Sequence, residues 1–273
     1  MEVTGPQLKA LKEKELELLQ AFIAACRQWD LQYYILEGTL LGAVRHQGFI
    51  PWDDDIDVGM PRKDYDQFLL HGQKYLPEGF FLQSFQTDPE FCENFAKLRN
   101  SNTTFVEATR KNCRINHGIY LDIFPLDRCS GKPGFSFLLQ KRLAELRISD
   151  TYTPQKLKLT SRLARSFSRI FYPFPAEAVR KREQLFRSCS QGKYLANHCS
   201  PWGNREIVPA HWYGPGIPLL FEGIEVNAPS HYHQWLARVY GDYLQLPPPE
   251  QQIPHHYVDD FDLNKAYSDS RNK

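Results

Sequence analysis

No apolar stretch in this 273-residue chain reaches the length that crosses a bilayer, roughly 18–20 residues. The opening residues Met-Glu-Val-Thr-Gly-Pro carry neither a basic run nor an apolar run, so no secretory signal is read there. The six cysteines (Cys26, Cys92, Cys113, Cys129, Cys189 and Cys199) form no C-x-x-C pair, which removes zinc ribbons and fingers and leaves scattered reduced thiols as the expectation. There is no excess of one charge: 33 Lys and Arg stand against 32 Asp and Glu, for a formal net charge of +1. Nucleic-acid binding driven by bulk basicity is thereby excluded, and no nucleic-acid partner is expected. No internal repeat is present. What is there is ordinary for a folded protein, 42% hydrophobic and 24% charged, and the length is enough for a large core.

Hydrophobic periodicity predicts a helix over 6–29, with Leu8, Leu11, Leu18, Leu19, Phe22, Cys26 and Trp29 on one face. LQYYILE (31–37) reads as a strand delivering Glu37-Gly38-Thr39, followed by a short helix over 40–45. Asp55-Ile56-Asp57-Val58 alternates as a half-buried strand does. Helical spacing resumes over 62–70; strands are expected at 80–85, 93–99 and 117–127. Residues 201–229, rich in Gly, Pro and Trp, read as loops and short strands. Ser230 is placed to cap a helix that runs to Tyr240 and stops at Gly241. The Pro-Pro-Pro run after it reads as a rigid turn leading to a polar tail.

Charge is unevenly distributed. Residues 141–187 hold twelve basic and four acidic side chains, so the rest of the chain is net acidic. Within this segment Leu159, Leu163, Phe167, Ile170 and Phe171 share one helical face, and Arg162, Arg165 and Arg169 share another. Such a basic amphipathic helix is either a solvated surface helix or a contact for anionic lipid or polymer.

The sharpest local feature is Asp53, Asp54, Asp55 and Asp57, four carboxylates in five residues. That density of like charge is costly unless a cation neutralises it. On a strand, Asp55 and Asp57 would present their carboxylates from one side. Two hard oxygen ligands suit Mg²⁺ or Mn²⁺. Upstream, Gly38 lets a phosphate approach the backbone and Thr39 offers a hydroxyl. Downstream, Asp122 lies mid-strand between Leu121 and Ile123, where a carboxylate calls for a partner.

A small turn beside a strand-borne Asp-x-Asp resembles the layout of polymerase-β-like nucleotidyltransferases. The longer string LEGTLLGAVRHQGFIPWDDDIDVGMPRKDYDQFL (36–69), with NFAKLRN (94–100), YLDIFPLD (120–127) and YGDYLQLPP (240–248), closely resembles the LicD family, to which fukutin and fukutin-related protein are distantly related. The resemblance implies a metal-dependent transfer of a phospho-alcohol, typically phosphocholine from CDP-choline, onto a sugar hydroxyl of a cell-surface glycan or its lipid-linked precursor, with release of CMP. Teichoic acid and lipopolysaccharide are both candidate acceptors. It also implies that Asp55, Asp57 and Asp122 hold the metal and serve catalysis, with Asp122 a candidate acceptor of the hydroxyl proton. Gly38, Thr39, Arg45, His46, Lys97 and Trp52 become candidate substrate contacts, Arg45 and Lys97 as phosphate clamps. Asp53 and Asp54 would orient the ligands. A choline head group would need an aromatic neighbour, for which Trp52, Trp202, Trp212 and Tyr240 are available; His255 and His256 read as structural.

The expected fold class is α/β (α+β), a polymerase-β-like nucleotidyltransferase core with a mixed sheet plus a helical insertion. Three regions are expected: a catalytic core at 1–130, a basic, mostly helical insertion at 131–200, and a C-terminal return at 201–273. The expected location is cytoplasmic, with residues 156–171 as a peripheral contact to the inner membrane face. Two other readings share these residues: nucleotidyl transfer to a small molecule, and a non-catalytic membrane- or glycan-binding relative.

Overall fold

A computed structural model describes residues 2–152, 159–188, 191–254 and 256–267. The first helix, α1 (Gly5–Gln28), buries Leu8, Leu11, Leu18, Leu19, Phe22 and Cys26 as its periodicity requires. Trp29 is not on that buried face: it ends the helix and stacks on His71 at 4.5 Å. The chain then forms β1 (Tyr34–Ile35), α2 (Glu37–His46), β2 (Asp57–Pro61), α3 (Arg62–His71), β3 (Phe80–Gln83), β4 (Ala96–Asn100), β5 (Thr104–Glu107) and β6 (Ile119–Cys129). Three helices follow, α4 (Phe135–Ile148), α5 (Leu159–Phe171) and α6 (Pro175–Phe186). The last elements are β7 (Tyr194–Asn197), β8 (Ile207–Pro209), β9 (Ile217–Phe221), β10 (Ile224–Ala228), α7 (Tyr232–Tyr240) and β11 (Val258–Asp262).

The sheet is mixed, with β1, β2, β6, β4 and β3 side by side and β7 and β8 continuing from β6. The long strand β6 organises it. Its first half pairs antiparallel with β4, its second half antiparallel with β7, and its other edge runs parallel to β2. Helices α1 and α3 pack on β6, and Val58, Met60, Leu121 and Ile123 are buried in the core. The fold is thus of the α+β, nucleotidyltransferase-like kind.

Four local expectations need correcting. The strand expected at 31–37 is only Tyr34–Ile35, and helix begins at Glu37, so Gly38-Thr39 is the first turn of α2 and not a free turn. Asp55 precedes β2; strand pairing reaches back only to Ile56, whose carbonyl accepts from Asp122 N–H at 2.9 Å. Ser230 does not cap α7. His231 holds that position, and the Ser230 hydroxyl accepts from Gly216 N–H at 3.1 Å. The polar tail contains β11, which pairs antiparallel with β5.

Helices α4 and α6 share a small apolar cluster with Cys92 and Tyr172. Buried ion pairs tie it to the sheet side. Glu93 meets Arg110 at 2.6 Å and Arg182 at 3.1 Å, and it accepts from the Tyr152 hydroxyl. Of the basic side chains described in 141–187, only Arg182 is drawn inside by this pairing; Arg142, Arg162, Arg169, Arg180 and Lys181 stay exposed. On α5, Arg165 and Arg169 reach back to Asp150, at 3.8 and 3.0 Å, where Arg147 also binds. The basic face of α5 is not simply turned to a partner, and the first residues of the expected 156–171 contact, 156–158, lie outside the described residues.

Candidate active site

The start of α2 is fastened to the start of β2. Leu36 N–H donates to Asp57 O at 2.9 Å, and Asp57 N–H donates to the Thr39 hydroxyl at 2.8 Å. Glu37 adopts a left-handed backbone, φ 45°, to turn directly from β1 into the helix, a conformation uncommon outside glycine. Gly38 is needed for space: a Cβ there would sit 2.6 Å from Asp53 Oδ2. Asp53 therefore lies against the first turn of α2, where unpaired backbone N–H groups favour negative charge.

Three carboxylates, Asp53, Asp54 and Asp55, place oxygens within 4.8 Å of one another. Asp57 and Asp122 are register partners on β2 and β6. Burial holds the Asp57 proton well above the ordinary carboxylate range, and Asp55, Glu37, Asp122 and Asp53 push the same way. Burial, with Asp55 and Asp54, does the same to Asp53. Asp122 is also raised by burial, opposed by Lys97, whose ammonium lies 2.9 Å from Asp122 Oδ1 and 3.2 Å from the Tyr120 ring centre. Among the described residues, Asp53, Asp54 and Asp55 bring their oxygens close enough to share one ion, and hard oxygens of this kind fit a divalent metal.

Two further groups, read otherwise or not at all from the sequence, belong here. His256, expected to be structural, donates from its backbone N–H to Asp54 at 3.1 Å, and its ring Nδ1 meets the other Asp54 oxygen at 3.1 Å. Asp54 and Asp55 hold the His256 pKa up at about 9 against the pull of burial. Below the acids, Glu37 and Glu206 share a hydrogen bond, and burial pushes Glu206 up to about 7. Glu206 also accepts from the Ser200 hydroxyl, and Asn197 donates to Glu37 at 3.3 Å. The sequence signal for Glu37 is only its place beside Gly38-Thr39; Glu206 has none.

These groups line or underlie a cavity of about 800 Å³. Its wall includes Glu37, Gly38, Asp53, Asp55 and Asp57 on one side and Trp52, Trp202, Tyr240 and Tyr243 on another. Trp202 and Tyr240 meet edge to face at 4.9 Å. Trp212 is not in this wall. Arg45 is, with its guanidinium donating to the Tyr243 carbonyl at 3.1 Å. His46 lies beside it, Nδ1 3.5 Å from Arg45 Nε, with its pKa lowered by burial and by Arg45. Asp122 and Lys97 are buried behind Asp57, outside the wall itself.

A pH dependence follows. The Glu206 pKa is raised on folding, so its contribution is present below the unfolded value and lost as pH rises through about 7. The His256 contribution, also from a raised pKa, is lost as pH rises through about 9. Both have the same sign. Without divalent cation, stability should fall between pH 5 and pH 9 by roughly 3 kcal/mol or more, seen as a Tm lower by about 5–10 °C in calorimetry. A flat or rising Tm over that range would contradict this picture of the buried acids.

The mixed sheet with its acidic cavity is a nucleotidyltransferase-like scaffold, and the chain's similarity to a cholinephosphotransferase makes it a transferase of phosphate-containing groups. Residues 30–136 match the family described as LicD/FKTN/FKRP, nucleotidyltransferase domain. Over nearly the whole chain there is similarity to the lipopolysaccharide cholinephosphotransferase LicD of Haemophilus influenzae, 28% identical over 264 residues, covering 93% of this chain and 98% of that protein. A shorter match, 51% identical over 49 residues, covers 18% of this chain and 15% of an uncharacterized protein of Rickettsia typhi.

Proposed function

We propose that the chain moves phosphocholine from CDP-choline onto a sugar hydroxyl of lipopolysaccharide or a related lipid-linked glycan and releases CMP. The observation that carries this is the cavity itself: crowded acids at the head of β2 on one wall and an aromatic cluster on the other, in a chain similar to a cholinephosphotransferase along its length. A nucleoside diphosphate ester has the matching parts, a pyrophosphate for the acidic side and a quaternary ammonium for the aromatic side.

Asp55, Asp57 and Asp122 would hold the divalent cation, Mg²⁺ or Mn²⁺. That ion would supply charge neutralisation at the phosphate oxygens. Asp53 takes the first turn of α2 beside Gly38, so Gly38 would border the donor at the cavity wall while Arg45 clamps its phosphate. Trp202 and Tyr240 would receive the ammonium, with Trp52 closing the wall. In the transfer, the acceptor oxygen forms a bond to the choline-bearing phosphorus as the bond to CMP oxygen breaks. The hydroxyl proton passes to a carboxylate of the wall, and Asp122, held towards its ionised form by Lys97 but set behind Asp57, would act on it through Asp57. Lys97 then acts as counter-ion to Asp122 in place of the phosphate clamp expected from the sequence. His256 and Asp53 would steady the acidic loop, and Thr39 its junction with α2.

The test is a thermal-shift panel with CDP-choline, CDP-ethanolamine, CDP-glycerol, CDP-ribitol and CTP, each with and without Mg²⁺. CDP-choline should raise Tm most, and only with the cation. Trp202→Leu should weaken CDP-choline by about tenfold and leave CDP-glycerol unchanged. Preference for CTP over every CDP-alcohol would point to nucleotidyl transfer.

A further inference from the structure

Helix α5 is turned the wrong way round for water. Its inward side is Ser161, Ala164, Arg165 and Ser168, with Ser168 fully buried. Its outward side is Leu163, Phe167, Ile170 and Phe171, exposed by 63%, 52%, 74% and 52%. Phe174, just past the helix, continues the strip at 69%. Their spacing of three, four and seven residues makes the strip continuous along the axis, and the Phe167 and Phe171 rings touch at 5.1 Å. An amphipathic helix of a globular protein buries such a face. Single exposed apolar residues are normal, whereas a continuous strip marks an interaction surface.

We infer that the outward face of α5 docks on an anionic bilayer, with its apolar side chains entering the interface. The occupant is argued from charge. Arg162 flanks the strip in solvent, and Arg169, though paired with Asp150 at 3.0 Å, keeps 60% of its side chain exposed beside it. Lys156 and Lys158 precede it in the sequence, in a segment (141–187) of twelve basic against four acidic residues. A second copy of this chain would bring the same positive field to the contact, and like charges would oppose it. An anionic lipid surface attracts that field and accepts the phenylalanines. The small inward side has a matching reason: Ser168 and Ala164 let α5 lie close while Asp150 draws in Arg165 and Arg169, which leaves the apolar face outside. The inference does not depend on the transfer chemistry, although a lipid-bearing acceptor would give such a surface its use.

The experiment is flotation of the full chain with vesicles of phosphatidylcholine alone or mixed with phosphatidylglycerol. Partition onto the mixed vesicles should exceed that onto phosphatidylcholine by about tenfold and fall with salt. Leu163→Ser/Phe167→Ser/Ile170→Ser should reduce it by roughly a hundredfold, and Arg162→Gln/Arg169→Gln by about tenfold. Phe167→Trp, which keeps the apolar face, should add a blue-shifted emission component over the parent protein when mixed vesicles are present. The CDP-choline thermal shift of each variant should match the parent, which separates loss of docking from loss of the fold or of the transfer site. Absence of partition onto either vesicle, equal partition by the triple-serine variant, or a solution dimer that the triple-serine change dissolves without any vesicle binding would each overturn the inference.

Discussion

Asp57→Asn should abolish transfer and at the same time make the metal-free protein more heat-stable. The two effects have one cause. Asp57 is buried among Asp55, Glu37, Asp122 and Asp53, each of which disfavours its charge. Removing that charge relieves its burial and the repulsion from these four acids, so the Tm without metal should rise by a few degrees, from a gain of about 1–2 kcal/mol. The same change deprives the cation of a ligand and the developing phosphate charge of its counterweight. A loss of ~10³-fold or more in kcat/KM, about 4 kcal/mol of transition-state stabilisation, is expected. Steady-state kinetics beside calorimetry on the same preparation reads both. A variant that is less stable without metal, or that keeps more than about a tenth of its activity, would mean that Asp57 is an ordinary structural acid.

Lys97→Met should be the most destabilising single change near the site. Lys97 is 2% exposed, with its ammonium 2.9 Å from Asp122 and over the Tyr120 ring. Removing it leaves a buried carboxylate with its main counter-ion gone, a loss of about 3–5 kcal/mol for a broken buried pair, or a Tm lower by roughly 10 °C. Lys97→Met/Asp122→Asn should recover much of that stability, because the second change removes the stranded charge, while activity stays lost. The comparison separates two roles. A phosphate clamp would change KM for the donor and leave Tm nearly untouched. A counter-ion that keeps Asp122 ionised would lower Tm and kcat together and shift the acidic limb of the kcat profile upward, since Asp122 would then hold its proton to higher pH.

The parts of this site that could be read from sequence are those whose chemistry is local. Four acids within five residues and an Asp in the middle of an apolar strand announce themselves, and the pairing of β2 with β6 sets Asp57 beside Asp122. The parts that could not be read depend on contacts between distant segments. The start of α2 at Glu37 rests on a left-handed residue and on hydrogen bonds to Asp57, twenty positions on, which no helical periodicity encodes. His256 enters the site because β11 pairs with β5, and a short polar strand such as VDDFD has no alternating signature. Glu206 is a lone acid in a Gly- and Trp-rich stretch until folding places it under Glu37. For α5, the period of three and four correctly separates an apolar from a basic face, but period alone does not say which face meets the protein. Asp150 decides that, by drawing in Arg165 and Arg169.

The central claim is that the phosphorus carrying choline, and not the nucleotide, ends on the acceptor. The most direct measurement uses CDP-choline labelled separately in the choline methyls and in the cytidine ring, incubated with the protein, Mg²⁺ and purified lipopolysaccharide. The account predicts that choline label accumulates on the lipopolysaccharide while cytidine label is released as CMP in equal amount, and that Asp57→Asn does neither. Cytidine label on the acceptor, or choline released without attachment, would contradict it.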